Sequence, residues 1–382
     1  MAGKSTFSYW EQASFLPVYD VVVVGSGIVG LTAALHLKQT DPSLNIAVLE
    51  AGFLPSGSST KNAGFACFGS ISEVIDELET TPENELLEVV ELRWKGLQKL
   101  RKNLGDPALD YQALGGFEVF RNDETEIAGK CIDKITYFNK LLEPVIGKAD
   151  IYSVQNEKIA DFGFSGISAL IENKYEGQID TGKMMHALLA KVQGLGVLVF
   201  NNCKLINFFN ENGGVRLQTT AQYFNTKKLI LATNAFTSDF FPELNIVPGR
   251  GQVLITRPLS ALKIKGSFHY DKGYYYFRNV GNRILLGGGR NIDFRAEETR
   301  ELETTHAVQE RLEYLLRTVI LPGQPYEVDT RWSGIMAFGD ELKPIIDEVQ
   351  PNIFCAARCN GMGVAMGSQV AERVADLALK SL

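Results

Sequence analysis

The feature that most constrains the fold is a strand–glycine–helix–strand segment near the N-terminus. The β-branched run Tyr19–Val24 is typical of a parallel strand buried on both faces. It leads directly into the glycine-rich turn Gly25–Gly30, and a helical stretch follows until Asp41–Ser43 breaks it. Asn45–Leu49 predicts a second strand, which ends at Glu50. The segment is therefore a complete β-α-β unit.

The glycines of this turn have the spacing of a dinucleotide-binding motif. Gly25 permits a tight turn, Gly27 lets the backbone approach a pyrophosphate, and Gly30 permits close packing of helix on strand. The helix N-terminus directs unpaired N–H groups at the phosphates. Glu50 accepts both ribose hydroxyl protons and repels a 2′-phosphate, so NADP is disfavoured, whereas NAD and FAD both remain possible. A glycine turn without a ligand is the alternative. The expected contacts here are Gly25, Ser26, Gly27, Ile28, Val29, Gly30, Glu50 and Ala51.

Two further segments favour FAD. The small residues of Ser58–Gly64 follow the ribose position and suit the pyrophosphate-to-flavin part of a longer cofactor. Asn360–Val364 opens the last predicted helix, whose N-terminus would face the flavin N1/C2 carbonyl, where negative charge accumulates on reduction. For this second loop, a plain capped helix is the alternative.

Length and charge set limits on fold and partners. With 382 residues, the chain exceeds what one hydrophobic core usually holds, so two domains are expected. Its net charge of −7 has the wrong sign for nucleic-acid binding, and no Lys/Arg-rich run is present. No uninterrupted apolar stretch predicts a membrane span, and Met1–Asp20 lacks the pattern of a secretory signal. We therefore predict a cytoplasmic protein without a nucleic-acid partner.

The five cysteines support the same compartment. Their number is odd and no paired CxxC motif occurs, which suits a reduced setting. Cys355 and Cys359 suggest a metal site or a disulfide, but no other ligand pair lies nearby. Buried structural thiols are therefore favoured, and no metal is predicted.

The order of elements predicts a nucleotide domain built from discontinuous segments. Helices are predicted over 82–103, 124–142, 181–193 and 368–379. From Pro248 to Pro344, aromatic and polar residues alternate between glycine turns, as in a mixed or antiparallel sheet. The predicted fold class is α/β plus α+β, with a Rossmann-like FAD-binding domain and a second, substrate domain. The FAD-binding domain comprises residues 1–95, 155–245 and 345–382, and the substrate domain comprises 96–154 and 246–344.

Together these segments resemble the flavoprotein family of D-amino acid, glycine and sarcosine oxidases over nearly the whole chain. Within that family the chain is most similar to the gamma-glutamylputrescine oxidoreductase branch, which has similar Tyr-Phe-Arg and Gly-Gly-Gly segments. The resemblance rests on Tyr19–Gly30, Ser59–Gly64, Leu231–Ala235, Pro248–Gln252, Arg331–Gly334 and Cys359–Gly363.

The resemblance implies further contacts with FAD. The diphosphate and flavin are expected against one group of residues, and the pyrimidine edge against the loop before the last helix. Leu205 completes the expected cofactor contacts. The two groups are Ser58, Ser59, Ala63, Gly64 and Phe65, and Asn360, Gly361, Met362 and Gly363.

The chain departs from the family at three places. Sarcosine oxidases attach FAD through a cysteine after the position of Trp332, but 332–343 contains none, which predicts a non-covalent flavin. An oxygen-activating lysine of those enzymes aligns with Leu285, so oxygen or another acceptor remains possible. The carboxylate-binding arginine of glycine oxidase aligns with Met336, so the resemblance does not establish an α-amino acid substrate.

Oxidation of a C–N bond by flavin N5 requires positioning and desolvation more than acid–base groups. Tyr274, Tyr276 and Arg278 would share one face of a strand and would hold a carboxylate or an amide. An ordinary aromatic strand with Arg278 in a surface ion pair is the alternative. Lys61 would approach N5 or a substrate anion, or simply hold its loop. Arg290 is a further candidate whose alternative is a solvated loop arginine.

Three of the four histidines, His36, His186 and His306, have no ligand spacing and are interpreted as structural or surface residues. The leading hypothesis is an FAD-dependent oxidoreductase that acts on a secondary amine, a D-amino acid or an acylated polyamine. The alternatives are a flavin-dependent tRNA-modifying oxidoreductase and a non-catalytic FAD-binding protein.

Overall fold

The computed structural model describes residues 7–211 and 213–382. Its helices are α1 Tyr9–Phe15, α2 Ile28–Thr40, α3 Ser58–Lys61, α4 Ile71–Thr80, α5 Glu83–Leu104, α6 Asp106–Leu109, α7 Thr125–Ile146, α8 Lys158–Phe162, α9 Thr181–Gly194, α10 Phe294–Glu297, α11 His306–Leu315 and α12 Gly363–Leu379. Its strands are β1 Val18–Val24, β2 Ile46–Leu49, β3 Phe65–Ala66, β4 Gly116–Arg121, β5 Tyr152–Val154, β6 Ile167–Asn173, β7 Gly177–Gln178, β8 Leu198–Phe200, β9 Leu205–Glu211, β10 Gly214–Thr219, β11 Tyr223–Leu231, β12 Val247–Thr256, β13 Ser267–Tyr270, β14 Tyr275–Val280, β15 Arg283–Gly288, β16 Val328–Phe338, β17 Ile345–Gln350 and β18 Ile353–Ala357.

The first sheet contains the N-terminal β-α-β unit. Its strand order is β17-β18-β11-β1-β2-β8, and the hairpin β9-β10 joins it through β11. The pairs around β1 are parallel, whereas β17 and the β9-β10 hairpin add antiparallel edges. The central strand β1 is almost entirely buried, because helices or the hairpin cover both faces of the sheet. Its β-branched sequence therefore reflects burial on both sides.

Three helices pack together on this sheet. An ideal Cβ at Gly367 of α12 would lie 2.9 Å from Ile28 of α2, and one at Gly96 of α5 would lie 2.8 Å from the Met366 backbone of α12. Glycines at these positions allow the close approach of the helices. His36 Nε2 lies 2.8 Å from Asp376 Oδ1 and links α2 to α12, as its interpretation as a structural residue predicts.

The second sheet lies against the first through the loops that carry the expected flavin contacts. Its strand order is β16-β12-β15-β14-β13-β4-β6-β5, and only the β13–β4 pair is parallel. One face packs on α11 and the π-helical turn that follows it, around Phe268, Phe277 and Leu312. The other face turns toward the first sheet. A short third sheet, β3-β7, lies between them.

The sequence predicted most of these elements. The two-sheet α/β plus α+β fold is confirmed, as are the helices over 83–104, 125–146 and 181–194. The last helix begins at Gly363 instead of residue 368. The predicted segment 155–245 is wrong as a purely nucleotide-binding unit, because Ile167–Asn173 pairs with Gly116–Arg121 in the second sheet. That pairing joins strands far apart in sequence, so local patterns do not reveal it.

Within the described part of the chain, no helix combines the length and apolarity needed to cross a membrane. All five cysteines are free and buried. This agrees with their interpretation as buried structural thiols. Burial raises the pKa of the Cys355 and Cys359 thiols to about 12, so both stay protonated at neutral pH. The cytoplasmic location stays a prediction.

Candidate active site

The N-terminal glycine turn has the geometry that its spacing predicts. Gly25 has φ of +105°, a value that favours glycine, and an ideal Cβ there would lie 2.5 Å from the carbonyl oxygen of Ala232. A Cβ at Gly30 would overlap the carbonyl oxygen of Gly25. The N-cap residue of α2 is Gly27, which has no side chain to cap the helix. The strand β1 thus turns sharply and brings the start of the helix to the edge of the sheet.

Glu50 lies beside this turn at the end of β2. Its Oε2 accepts hydrogen bonds from Ser26 N at 3.0 Å and Ser26 Oγ at 2.5 Å, and its Oε1 accepts one from Gly52 N at 2.8 Å. A carboxylate has about four lone-pair positions, so it retains capacity for ribose hydroxyls. Cys203 N donates to Glu50 O at 2.8 Å, which brings the start of β9 at Leu205 near the same end of the sheet. Ala51 follows Glu50 directly.

The segment from Ser58 to Phe65 approaches the same helix end. Ser59 Oγ accepts a hydrogen bond from Ile28 N at 2.9 Å, which joins α3 to the first turn of α2. Val29 follows in that turn. Asn62, which the sequence analysis did not single out, holds the segment in shape. Its Oδ1 accepts from Gly64 N at 2.8 Å and from Thr181 Oγ1 at 3.0 Å. An asparagine before an Ala-Gly turn is the signal that could have identified it.

The second glycine loop precedes α12. Asn360 and Gly361 have φ of +47° and +83°. The amide of Asn360 donates to the carbonyls of Glu341 and Leu342, while its Oδ1 is buried and has no hydrogen-bond partner in the part of the chain that the structure describes. The first turn of α12 has no side-chain cap from Met362, and Gly363 begins the helix. This 17-residue helix therefore presents uncapped N–H groups at the loop.

One face of the second sheet turns toward both loops. Side chains directly across the strand pairs share this face, because paired residues project to the same side. The row that runs across the sheet is Glu118, His269, Tyr276, Gly287, Val253 and Trp332.

Several contacts place this face against the cofactor segments. The Phe65 ring meets the rings of His269 at 5.2 Å and Tyr276 at 5.6 Å between centroids. Trp332 Nε1 donates to Lys61 O at 2.9 Å. An ideal Cβ at Gly361 would lie 3.8 Å from Met336 Sδ. The segment 58–65, the loop 360–363 and the sheet face therefore enclose one region.

Two positions at which the chain departs from the family, Leu285 and Met336, both lie on this face. They align with an oxygen-activating lysine and a carboxylate-binding arginine, respectively. Leu285 is buried in an apolar group with Ala63 and Val253. Met336 extends toward Gly361. The wall of the region is thus largely apolar at both positions.

The strand predicted to face the substrate has the predicted alternation. Tyr275 and Phe277 point into the core of the second domain, whereas Tyr276 and Arg278 point to the opposite face. Burial raises the pKa of Tyr276 to about 12, so its phenol is neutral at physiological pH. Tyr274 precedes the strand at the edge of the sheet and is 36% exposed.

Arg278 is only 6% exposed, and its guanidinium donates to three main-chain carbonyls. Nε donates to Ala63 O, Nη2 to Ile179 O at 2.9 Å, and Nη1 to Asn279 O at 3.3 Å. Because the side chain is buried and no carboxylate in the described ranges pairs with it, desolvation lowers the pKa of Arg278 to about 10. The structure thus places Arg278 as a brace for the segment around Ala63 and Gly64, and the surface ion pair considered as the alternative is wrong.

Lys61 lies at the edge of the enclosed region. Its Cβ would be 3.0 Å from an ideal Cβ at Gly334, so the start of its side chain runs along β16. No group in the described ranges forms a hydrogen bond or an ion pair with its Nζ. Lys61 therefore stays a catalytic candidate.

A buried group that the sequence analysis missed is His269, the fourth histidine. Nδ1 lies 3.8 Å from Glu73 Oε2, and Nε2 lies 3.6 Å from Glu176 Oε2. Although burial acts to lower the pKa of His269, the Cys67 and Glu176 partners and the Glu73 charge together raise it well above its usual value. Glu176 also accepts from the N–H groups of Phe68 and Gly69 at 3.0 and 3.1 Å. His269 and Glu176 together therefore connect β13 to the segment after Phe65. The pairing of β13 with both β14 and β4 positions His269, and sequence patterns do not reveal that pairing.

Comparison with known proteins agrees with this geometry. The model of the FAD dependent oxidoreductase family matches residues 20–377. The chain belongs to this family. It is 25% identical over 379 residues to gamma-glutamylputrescine oxidoreductase of Escherichia coli, covering 94% of this chain and 83% of that protein.

Two solved structures share the fold. L-proline dehydrogenase from P. horikoshii has a TM-score of 0.75 at 19% identity, with coverage of 96% of this chain and 94% of that one. Glycine oxidase from Geobacillus kaustophilus has a TM-score of 0.75 at 18% identity, with 95% of each chain covered. At these identities the two structures support the fold alone.

The chain is therefore an FAD-dependent oxidoreductase, and the predicted cofactor is confirmed. The residues present fit FAD: the glycine turn at the N-terminus of α2, the Glu50 carboxylate beside it, and the N-terminus of α12 beside Asn360, whose Oδ1 has no hydrogen-bond partner among the described residues. The segment 332–343 contains no cysteine, in keeping with a non-covalent flavin.

Proposed function

We propose that the enzyme oxidises the C–N bond of a small amine or amino acid by hydride transfer to the flavin. The observation that carries the proposal is the sheet face that closes over the segments 58–65 and 360–363, because it encloses a reaction region beside the expected flavin contacts. The gamma-glutamylputrescine oxidoreductase among the relatives supports an amine substrate.

The side chains of this face suit desolvation more than proton transfer. Leu285, Val253 and Trp332 supply apolar surface, and Tyr276 supplies a neutral phenol. A neutral amine is desolvated at less cost than an ammonium ion, so an apolar wall favours the reactive form of the substrate. FAD, when bound, accepts the hydride. The chain's own contribution is then to bind, orient and exclude water.

Anaerobic mixing with an amine panel tests the proposal. The panel contains sarcosine, D-alanine, glycine and an N-acylated putrescine, and bleaching of the oxidised flavin absorption is the signal. We expect at least one compound to reduce the flavin. Later admission of air or of a quinone shows which acceptor reoxidises it. If no member of a wide amine panel bleaches the flavin of a fully loaded protein, the proposal is wrong and a non-catalytic FAD-binding role gains support.

Lys61 is proposed to act on the substrate or near the flavin, since no described residue pairs with its ammonium. Lys61→Met should leave the melting temperature within about 2 °C, because Met keeps most of the apolar stem that runs along β16 and no described residue pairs with the ammonium that it removes. It should lower the rate of flavin reduction about tenfold or more, as expected for loss of one charge near a reacting centre. Arg295→Gln, the loss of an exposed positive charge, serves as the control. Equal reduction rates in Lys61→Met and wild type would assign Lys61 to loop structure only.

The comparisons do not favour a tRNA-modifying activity. A filter-binding assay with bulk tRNA at low salt tests it directly, and we expect no salt-sensitive binding from a chain with a net charge of −7.

A further inference from the structure

Arg290 lies at the outer end of the enclosed sheet face. It begins a short 3-10 turn, Arg290–Ile292, directly after β15. Gly288 and Gly289 before it have φ of +115° and +82°, values that favour glycine. The side chain then lies over β12 and β16, because an ideal Cβ at Gly249 would be 2.7 Å from Arg290 Nη1. The alternative of a fully solvated loop arginine is therefore wrong.

Two aromatic rings hold the guanidinium. Arg290 Cζ lies 3.8 Å from the centroid of Phe338 and 5.1 Å from that of Phe294. The Phe338 ring occupies space that a Cβ at Gly249 would overlap. Stacking of this kind covers a flat face of the guanidinium and leaves its N–H groups available in the plane. We call Arg290, Phe294 and Phe338 the arginine clamp.

The charge of the clamp is not neutralised locally. Within 7–211 and 213–382, no group accepts a hydrogen bond from Arg290, and no carboxylate lies within ion-pair distance. Nearby arginines differ: Arg250 pairs with Glu297 at 2.7 Å, and Arg300 pairs with Asp239. The charges of Glu298 and Glu297 act on Arg290 only through space, and Glu297 is engaged by Arg250 and Gln252. Arg290 is thus a partly buried cation with free donors.

The clamp is continuous with the proposed reaction region. Gly249 and Gly251 lie two residues apart on the same face of β12, a separation of about 7 Å. An ideal Cβ at Gly251 would be 2.8 Å from Met336 Cε and 3.7 Å from Tyr276 Oη. The guanidinium and the Tyr276 phenol therefore lie along the same sheet face, close enough for one small substrate to contact both.

We propose that Arg290 binds the carboxylate of the substrate, and that the arginine clamp selects amines with an anionic end. A planar fork of N–H donors matches a carboxylate in two parallel hydrogen bonds. An acylated polyamine whose far end is a second ammonium is disfavoured, since two positive charges would face each other in a partly dry site. The inference rests on the proposed function and names the substrate class of the same site.

A binding experiment tests the clamp without turnover. The flavin-loaded protein is titrated with benzoate and with benzamide, which have similar shapes and differ in charge, by calorimetry and by the flavin absorption. Wild type should bind benzoate more tightly. Arg290→Gln should lower the affinity for benzoate about 10- to 100-fold, as expected for the loss of hydrogen bonds to a charged group. The affinity for benzamide should stay within about twofold of the wild-type value.

Two further variants separate the clamp from general charge. Arg290→Lys keeps the positive charge but lacks the planar guanidinium. Its affinity for benzoate should lie between those of wild type and Arg290→Gln. Arg295→Gln, which removes an exposed charge from the adjacent helix α10, should leave the affinities for both probes unchanged. Equal affinity of wild type for the two probes, or unchanged benzoate binding in Arg290→Gln, would overturn the proposal. If Arg290→Gln does not retain flavin, the same comparison with Arg290→Lys decides.

A turnover comparison distinguishes this inference from the proposed function. Sarcosine and D-alanine are compared with their neutral amides in anaerobic flavin reduction. We expect the amides to show a raised KM in wild type, and the difference between acid and amide to vanish in Arg290→Gln. If neutral amides or diamines reduce the flavin as well as the acids do, the clamp proposal is wrong and amine oxidation stands. If nothing reduces the flavin while benzoate binding still depends on Arg290, the proposed function fails and the anion site stands.

Discussion

Arg278 lies in β14 and Arg290 lies directly after the neighbouring strand β15, yet the two side chains have opposite surroundings. Arg278 is buried, and its donors are used by the carbonyls of Ala63, Ile179 and Asn279. Arg290 is stacked on Phe338 with its donors free. The difference shows that a buried charge satisfied by the main chain supports the fold, whereas a partly exposed charge without a partner is available to a ligand. Proximity to the expected cofactor does not by itself distinguish the two roles.

Substitution of Arg278 should have the largest effect. Arg278→Met leaves the buried carbonyls of Ala63 and Ile179 without donors, whereas Asn279 O keeps a hydrogen bond from Gln178 Nε2. Each unpaired carbonyl costs about 1–3 kcal/mol, so the free energy of unfolding should fall by about 2 kcal/mol or more. The segment around Ala63 should loosen, and the flavin-to-protein absorbance ratio should drop. Urea unfolding and flavin content measure both effects. Arg290→Gln is the matched control and should keep its flavin. If Arg278→Met is as stable as that control, the comparison between the two arginines fails.

A methyl group at Gly249 tests the clamp from the opposite strand. Gly249→Ala would overlap the Phe338 ring and crowd Arg290 Nη1, so overpacking should cost about 1–3 kcal/mol of stability. The affinity for benzoate should fall together with stability. Gly129→Ala in α7 is the control, since nothing lies within 4 Å of its ideal Cβ, and it should gain about 0.5–1 kcal/mol. Benzoate binding that is unaffected by Gly249→Ala would contradict the placement of the clamp.

Glu118 is, like Arg278, a buried ionisable residue whose side chain is hydrogen-bonded. It should make the free energy of unfolding depend on pH. Its carboxylate accepts from Ser72 N at 3.0 Å and from Ser72 Oγ, and burial raises its pKa from 4.5 to about 7. Between these values the folded chain holds a proton that the unfolded chain has released, so this residue's contribution to stability falls as pH rises through the window. Glu118→Gln does not titrate. Its stability relative to wild type should increase by about 1–3 kcal/mol from pH 4.5 to 7.5.

Unfolding curves at several pH values measure this difference. His269 and Glu73 neighbour Glu118 electrostatically, but both remain in the variant, so their own titration largely cancels in the comparison. Parallel pH profiles of the two proteins would contradict the raised pKa.

For the nucleotide half, the sequence predicted the β-α-β unit and its glycine turn, because this information is local. Gly25, Gly27, Gly30 and Glu50 lie within one β-α-β unit, where spacing along the chain translates directly into position. The substrate half was less predictable. The alternation of Tyr275 and Tyr276 was visible in the sequence, but neither the carbonyls that engage Arg278 nor the position of His269 between two glutamates could be derived from it.

By itself, the sequence determined the two helix-terminal glycine loops, the carboxylate at the end of the second strand and the β-rich character of the second domain. Each follows from backbone sterics and periodicity over a few residues. The tertiary structure alone decided which charged side chains are satisfied and which are free, because strands distant in sequence bring donors, acceptors and rings together. For that reason the roles of Arg278 and Arg290 became distinct only when β12, β14, β15 and β16 were seen side by side.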